Sequence, residues 1–237
     1  MSTYENKKIR VVIIDSGINS NKNDLHKNII ASIQIRLKNG KIVFEEKSVS
    51  NNIHGTVVAT CIKNVCNDIE IIDINILDEK LMSNSKVLIS ALKYSQNLNP
   101  DIVNLSLGTS SKKYWIILKK IINKIIKSNV VVVASVDNDG RTTYPASFKN
   151  VIGVKCDNSL QVNEINYNNK YFYLNGTILY TKSEEEKNIK ICGNSIATAY
   201  MTGYICTILK HSENVRVEEI EKEIIKRLDS KGDYYGN

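Results

Sequence analysis

No run of 18 apolar residues occurs anywhere in the 237-residue chain, which excludes a membrane-spanning helix. The stretch from Met1 to Arg10 is polar and carries lysines. It lacks the apolar core and small-residue cleavage site of a secretory signal. Cysteines number five, so they cannot all pair. With no export signal, reduced thiols in a cytoplasmic setting are the expectation. The formal charge is +7, but the lysines are scattered and no basic stripe interleaved with aromatics occurs. Solvated surface lysines account for that charge, with steering of an acidic peptide as the alternative. Neither a nucleic acid nor a membrane is expected as a partner. No internal repeat or linker is present, and the length suits one domain over 1–237, with its core over about 9–228 and a frayed tail from Asp229.

What the sequence does contain is alternation of element types. Ile9 to Ile14, Ile69 to Leu77, Ile102 to Leu107, Val130 to Ala134 and Val151 to Val154 are short runs, apolar at nearly every position. That pattern predicts strands covered on both faces. Helices are predicted over Gly55 to Val65, from Ser85 to before Pro100, over Tyr114 to Lys127, Ser195 to Lys210 and Val217 to Leu228. Glu164 to Leu174 and Gly176 to Tyr180 alternate between Asn and Gly turns and read as hairpin strands. The order argues for an α/β fold, a doubly wound and mostly parallel sheet with helices on both faces.

Three short motifs carry chemistry. Asp15-Ser16-Gly17 follows the first strand directly, at the end where open α/β sheets place their ligands. His54-Gly55-Thr56 opens an apolar helix, and the chain has only two other histidines, His26 and His211, both in polar surroundings. Gly193-Asn194-Ser195-Ile196-Ala197-Thr198 leads into another helix. Small residues there let a hydroxyl stand clear, near backbone N–H groups at the positive end of the helix dipole. Taken singly, each has a plainer reading: a turn-capping aspartate, a core histidine, a helix-capping serine.

Together and in this order, the motifs resemble the D-[ST]-G, H-G-T and G-T-S-x-A signatures of the subtilisin family, whose triad order is Asp, His, Ser. The similarity continues in Asp24-Leu25, in Asn104-Leu105-Ser106-Leu107-Gly108, in Val131 to Ala134 followed by Asn138-Asp139-Gly140, and in Tyr144-Pro145-Ala146 with Val151 to Val154. It covers roughly residues 9 to 228. The resemblance implies a serine endopeptidase with Ser195 as nucleophile, His54 as general base, Asp15 as its orienting carboxylate and Asn138 as an oxyanion donor. It further implies a peptide cleft walled by Ser106, Leu107 and Gly108 on one side and by Ala134, Ser135 and Val136 on the other. Leu81, Met82 and Ser83 would form the opposite edge for an extended peptide. Asp137 and Asp139 fall near the pocket for the side chain preceding the scissile bond, so a basic side chain is expected there.

The chain also departs from the family pattern. Asn194 stands for threonine, Ala199 for proline and Asp137 for glycine, and the A-P-G motif is missing. The calcium loop common in the family is shortened away, and no Asp/Asn-rich loop replaces it, so no metal and no cofactor are expected. No Gly-rich phosphate loop follows the first strand, which speaks against a nucleotide-binding domain. Cys61 and Cys66 do not share a helix face and lack companion ligands for zinc. Cys192, three residues before Ser195, reads as an ordinary thiol, with redox sensitivity or a role as nucleophile as the alternatives. Asp15 lies so near the start that no inhibitory prodomain is expected upstream. Narrow specificity is the expected consequence, such as removal of a leader from a ribosomally made precursor peptide. The competing expectation is an inactive pseudopeptidase that binds a peptide or partner protein. Oligomeric state is left open.

Overall fold

In the computed structural model, which describes residues 8–46, 52–137, 141–181, 188–211 and 216–232, the first apolar run becomes strand β1 (Ile9–Asp15). Only Arg10 of β1 keeps solvent contact, because the strand lies in mid-sheet and is covered on both faces. Further along the chain come β2 (Ile29–Lys38), β3 (Lys41–Glu46), α1 (His54–Val65), β4 (Ile69–Asn75), α2 (Ser85–Ser95) and β5 (Ile102–Leu105). Then follow α3 (Trp115–Lys127), β6 (Val131–Ser135), β7 (Ile152–Cys156), β8 (Ile165–Asn168) and β9 (Tyr171–Leu174). The chain closes with β10 (Thr177–Tyr180), β11 (Ile189–Cys192), α4 (Asn194–His211) and α5 (Val217–Gly232).

Nine strands form one sheet in the order β3-β2-β4-β1-β5-β6-β7-β9-β8. The pairings from β2 through to β9 are parallel, and an antiparallel partner closes each edge. β10 and β11 pair antiparallel in a separate ribbon. Helix α1 packs against α4, which lies across β5, β6 and β7, while α2 and α3 pack together and reach β2 and β6. Helix α4 has small or apolar residues almost all round and is buried along most of its length, as a central helix must be. Its start is unbroken despite Ala199, and the Thr198 hydroxyl donates to the Asn194 carbonyl at 2.7 Å.

Three differences from the sequence reading have physical causes. The hairpin β2–β3 is absent from the expected elements. Its turn is Asn39-Gly40, with φ of 48° and 76°, the two positive values that a two-residue type I′ turn requires. Strands β4 and β5 end at Asn75 and Leu105, short of Leu77 and Leu107, because the chain leaves the sheet there and turns those leucines into a cleft. Helix α5 continues to Gly232, past the frayed tail expected from Asp229, and residues 233–237 lie outside the described residues.

Candidate active site

The carboxyl end of β1 delivers Asp15, and the first residue of α1 is His54. The two meet through Asp15 Oδ1 and His54 Nδ1 at 2.7 Å. Asp15 is fully buried; Oδ1 also accepts from the Ser16 backbone N–H at 2.7 Å, while Oδ2 has no partner among the described residues. Motif spacing is explained by the contact between the two turns. The Gly55 N–H donates to Ser16 Oγ at 3.0 Å, and a Cβ on Gly55 would lie 2.5 Å from the Gly17 carbonyl oxygen. Only glycine lets α1 start this close to the end of β1. Asn52 Oδ1 accepts from the His54 N–H at 2.8 Å and fixes the helix start. Burial pulls the His54 pKa down, but the charge and hydrogen bond of Asp15 outweigh it, and the net shift is upward from the ordinary imidazole value.

Ser195 sits in the first turn of α4 and lines, with His54, a cleft of about 630 Å³. Its hydroxyl donates to the Ser106 carbonyl at 3.2 Å, so in this conformer the O–H is directed at the cleft wall. That wall is braced from beneath. Asn104 Nδ2 donates to Ser106 Oγ at 3.2 Å, and Thr202 of α4 donates to Asn104 Oδ1 at 2.8 Å. Asn194, the residue that departs from the family's threonine, is buried and bonded at both ends. Its Nδ2 donates to the Val136 carbonyl at 2.8 Å and its Oδ1 accepts from the Cys156 N–H at 2.6 Å. The substitution thereby ties the start of α4 to the pocket wall after β6 and to the end of β7.

Of the residues expected to bind substrate, Ser106, Leu107, Gly108, Ser135, Val136, Asp137 and Leu81 line this cleft. Three do not. Ala134 is fully buried within β6, so the wall begins only at Ser135, where the strand ends. Met82 and Ser83 are exposed beside Leu81 but do not line the cleft. Asn138, Asp139 and Gly140 lie outside the described residues. The expected preference for a basic side chain meets an internal competitor, since Asp137 Oδ2 is 3.2 Å from Arg141 Nη2. Leu77, Thr143 and Ile191 line the cleft without having been anticipated, and so does Cys192. The family motifs carry no sign of these four, though the apolar run ending at Leu77 pointed to that leucine's neighbourhood. Among the described residues, no group of three or more His, Cys, Asp or Glu could hold a metal ion. Likewise, no described helix is long and apolar enough to cross a membrane.

Comparison with known proteins places this geometry in context. Residues 6–234 match the family described as Peptidase_S8, subtilase family. Subtilisin DY of Bacillus licheniformis is 23% identical over 98% of this chain and 89% of its own length. The major intracellular serine protease of Bacillus subtilis (strain 168) is 25% identical, over 94% of this chain and 75% of that protein. Coverage of the relatives varies: the chain spans only 29% of the minor extracellular protease Epr of the same organism. Among solved structures, a cold adapted subtilisin-like serine proteinase superposes with a TM-score of 0.73 at 18% identity, over 93% of this chain and 82% of that one. Sphericase gives the same TM-score at 17% identity, over 92% of this chain and 82% of that one.

Proposed function

This chain belongs to the subtilase family, and from that premise we propose that it is a serine endopeptidase working through Asp15, His54 and Ser195. The observation that carries the reading is the 2.7 Å contact between a buried carboxylate and the imidazole of a histidine that shares a cleft with Ser195. Asp15 holds Nδ1 of His54 and so leaves Nε2 as the basic nitrogen. His54 takes the Ser195 proton as Oγ attacks the scissile carbonyl, and returns it to the leaving amine. Water then repeats the sequence on the acyl-enzyme. Oxyanion donors are assigned to the Ser195 backbone N–H, in the first turn of α4, and to Asn138 by its place in the sequence motif. Before attack, the Ser195 hydroxyl must leave the Ser106 carbonyl for the imidazole. Such links commonly tighten only when substrate is bound.

The substrate is proposed to be a precursor peptide in the cytoplasm, cleaved selectively to remove a leader. The net charge of +7, which suits an acidic peptide, and five thiols free of disulfides support this finer reading. The deciding experiment is covalent labelling by a fluorophosphonate, with the native chain compared with Ser195→Ala. Labelling of the native chain alone is expected. A folded native protein that takes up no label would remove the peptidase assignment.

A further inference from the structure

One wall of the cleft carries a pair of thiols that the proposed peptide chemistry leaves unused. Cys192 is exposed, ends β11 and lines the cleft just before the turn into α4. Cys156 is half-buried and ends β7. Their proximity follows from the backbone. Cys192 is paired across the ribbon with Thr177, and a Cβ placed on the adjacent Gly176 would lie 2.6 Å from Cys156 Sγ. The Gly193 N–H donates to the Gly176 carbonyl at 2.9 Å, which fixes the segments against each other.

A single amide assigns the two sulfurs different states. Asn158 Oδ1 accepts from the Cys156 thiol at 3.1 Å and from the Thr177 hydroxyl at 3.1 Å. With its carbonyl oxygen so committed, the same side chain turns its Nδ2 toward Cys192 Sγ, to which it donates at 2.8 Å. Cys156 is thus placed as a protonated donor and Cys192 as an acceptor. The titration tendencies agree. The Asn158 hydrogen bond leads the influences that lower the Cys192 pKa, and burial leads those that raise that of Cys156. The two thiols also bias each other, Cys192 adding to the rise at Cys156 and Cys156 to the lowering at Cys192.

We propose that Cys192 and Cys156 form a thiol-exchange site in the cleft wall, whose substrate is a low-molecular-weight disulfide. The Cys192 thiolate attacks one sulfur of the disulfide RSSR, forming a mixed disulfide and expelling one RS⁻, which takes up a proton from solvent. That step puts the R group in the cleft lined by Ser195. Cys156 then gives its proton to solvent and attacks Cys192 Sγ, expelling the second RS⁻ and leaving a Cys156–Cys192 bond. Two protein thiols are oxidised and one small disulfide is reduced to two thiols, so electrons balance. Cys192 is the attacking residue and Cys156 the resolving one. Cys66 and Cys206 are buried, and serve as the internal reference for thiols out of reach of a soluble disulfide.

The test treats the folded protein with oxidised glutathione, alkylates the remaining thiols in denaturant, and maps the products by tandem mass spectrometry. Fragmentation must separate Cys192 from Cys206, which no tryptic site divides. In the native chain, two of the five free thiols should be lost, in a reducible link between Cys156 and Cys192. Cys156→Ser should stop at a glutathione adduct on Cys192 and lose fluorophosphonate labelling of Ser195 until a thiol reductant is added. Cys192→Ser should leave Cys156 unmodified. The proposal is overturned if the native chain accumulates the Cys192 adduct without linking, if Cys192 stays reduced, or if Cys156 is modified equally without Cys192. The native-chain result stands even if a variant fails to fold. Because the mapping needs no peptidase activity, its failure is distinct from failure of the peptidase reading.

Discussion

At the residue scale, His54 shows how one contact sets a working pH range. Burial alone would favour the neutral ring, yet Asp15 reverses the balance and raises the pKa above the ordinary imidazole value. A general base works only when neutral, so kcat/KM should fall as pH drops through a midpoint above about 6.5. In Asp15→Asn only the downward pull of burial remains, and the midpoint should move to lower pH. The rate should fall as well, by about 10⁴ if the loss matches that known for a serine protease altered at the equivalent aspartate. A pH–rate profile of both proteins checks this; an unmoved midpoint would detach Asp15 from the imidazole. Asp15 and His54 were legible in sequence because each sits in a motif next to a predicted element. The role of Asn194 was not, because its two partners, Val136 and Cys156, are 58 and 38 residues away and meet it only once the sheet has formed.

At the scale of elements, the site depends on how closely α1 approaches the turn after β1. Gly55 and Gly17 touch backbone to backbone, and a methyl group on Gly55 must push against a carbonyl oxygen rather than a pliant side chain. Gly55→Ala should therefore cost about 1–3 kcal/mol in urea unfolding, as overpacked sites do. It should also lower kcat/KM through displacement of His54, the preceding residue. Unchanged stability together with unchanged activity would mean that α1 can shift without cost. The central strands were legible because continuous burial leaves continuous apolar runs. Hairpin β2–β3 was harder to see, since it closes one side of the sheet and both its strands keep solvent on much of their surface, which breaks their burial pattern. Its Asn39-Gly40 turn was the available signal.

Across the whole molecule, the net charge of +7 is a long-range property that no single contact displays. If it steers an acidic peptide to the cleft, encounter rates should depend strongly on ionic strength. The screening distance falls from about 10 Å at 0.1 M salt to about 3 Å at 1 M. Over that range kcat/KM for an acidic peptide should drop about tenfold, the low end of electrostatic steering effects, while a neutral analogue with the same scissile bond changes little. Equal salt responses for the two peptides would remove charge from the selection of substrate. The parallel order of the sheet supports the site at this scale, since it brings the carboxyl ends of the adjacent strands β1, β5 and β6 out on the same side of the sheet.

The sequence by itself determined the α/β class, the central strands and the helices, and it singled out the three motif residues, because apolar periodicity and short motifs are written locally along a chain. Only the tertiary structure decided which residues line the cleft. It retained Ser135 and excluded Ala134, pointed the Ser195 hydroxyl at Ser106, gave Arg141 to Asp137 and brought Cys156 and Cys192 to the same Asn158 amide. Those outcomes depend on where strands end and which distant segments they meet, and such long-range pairings are set by the packing of the entire sheet.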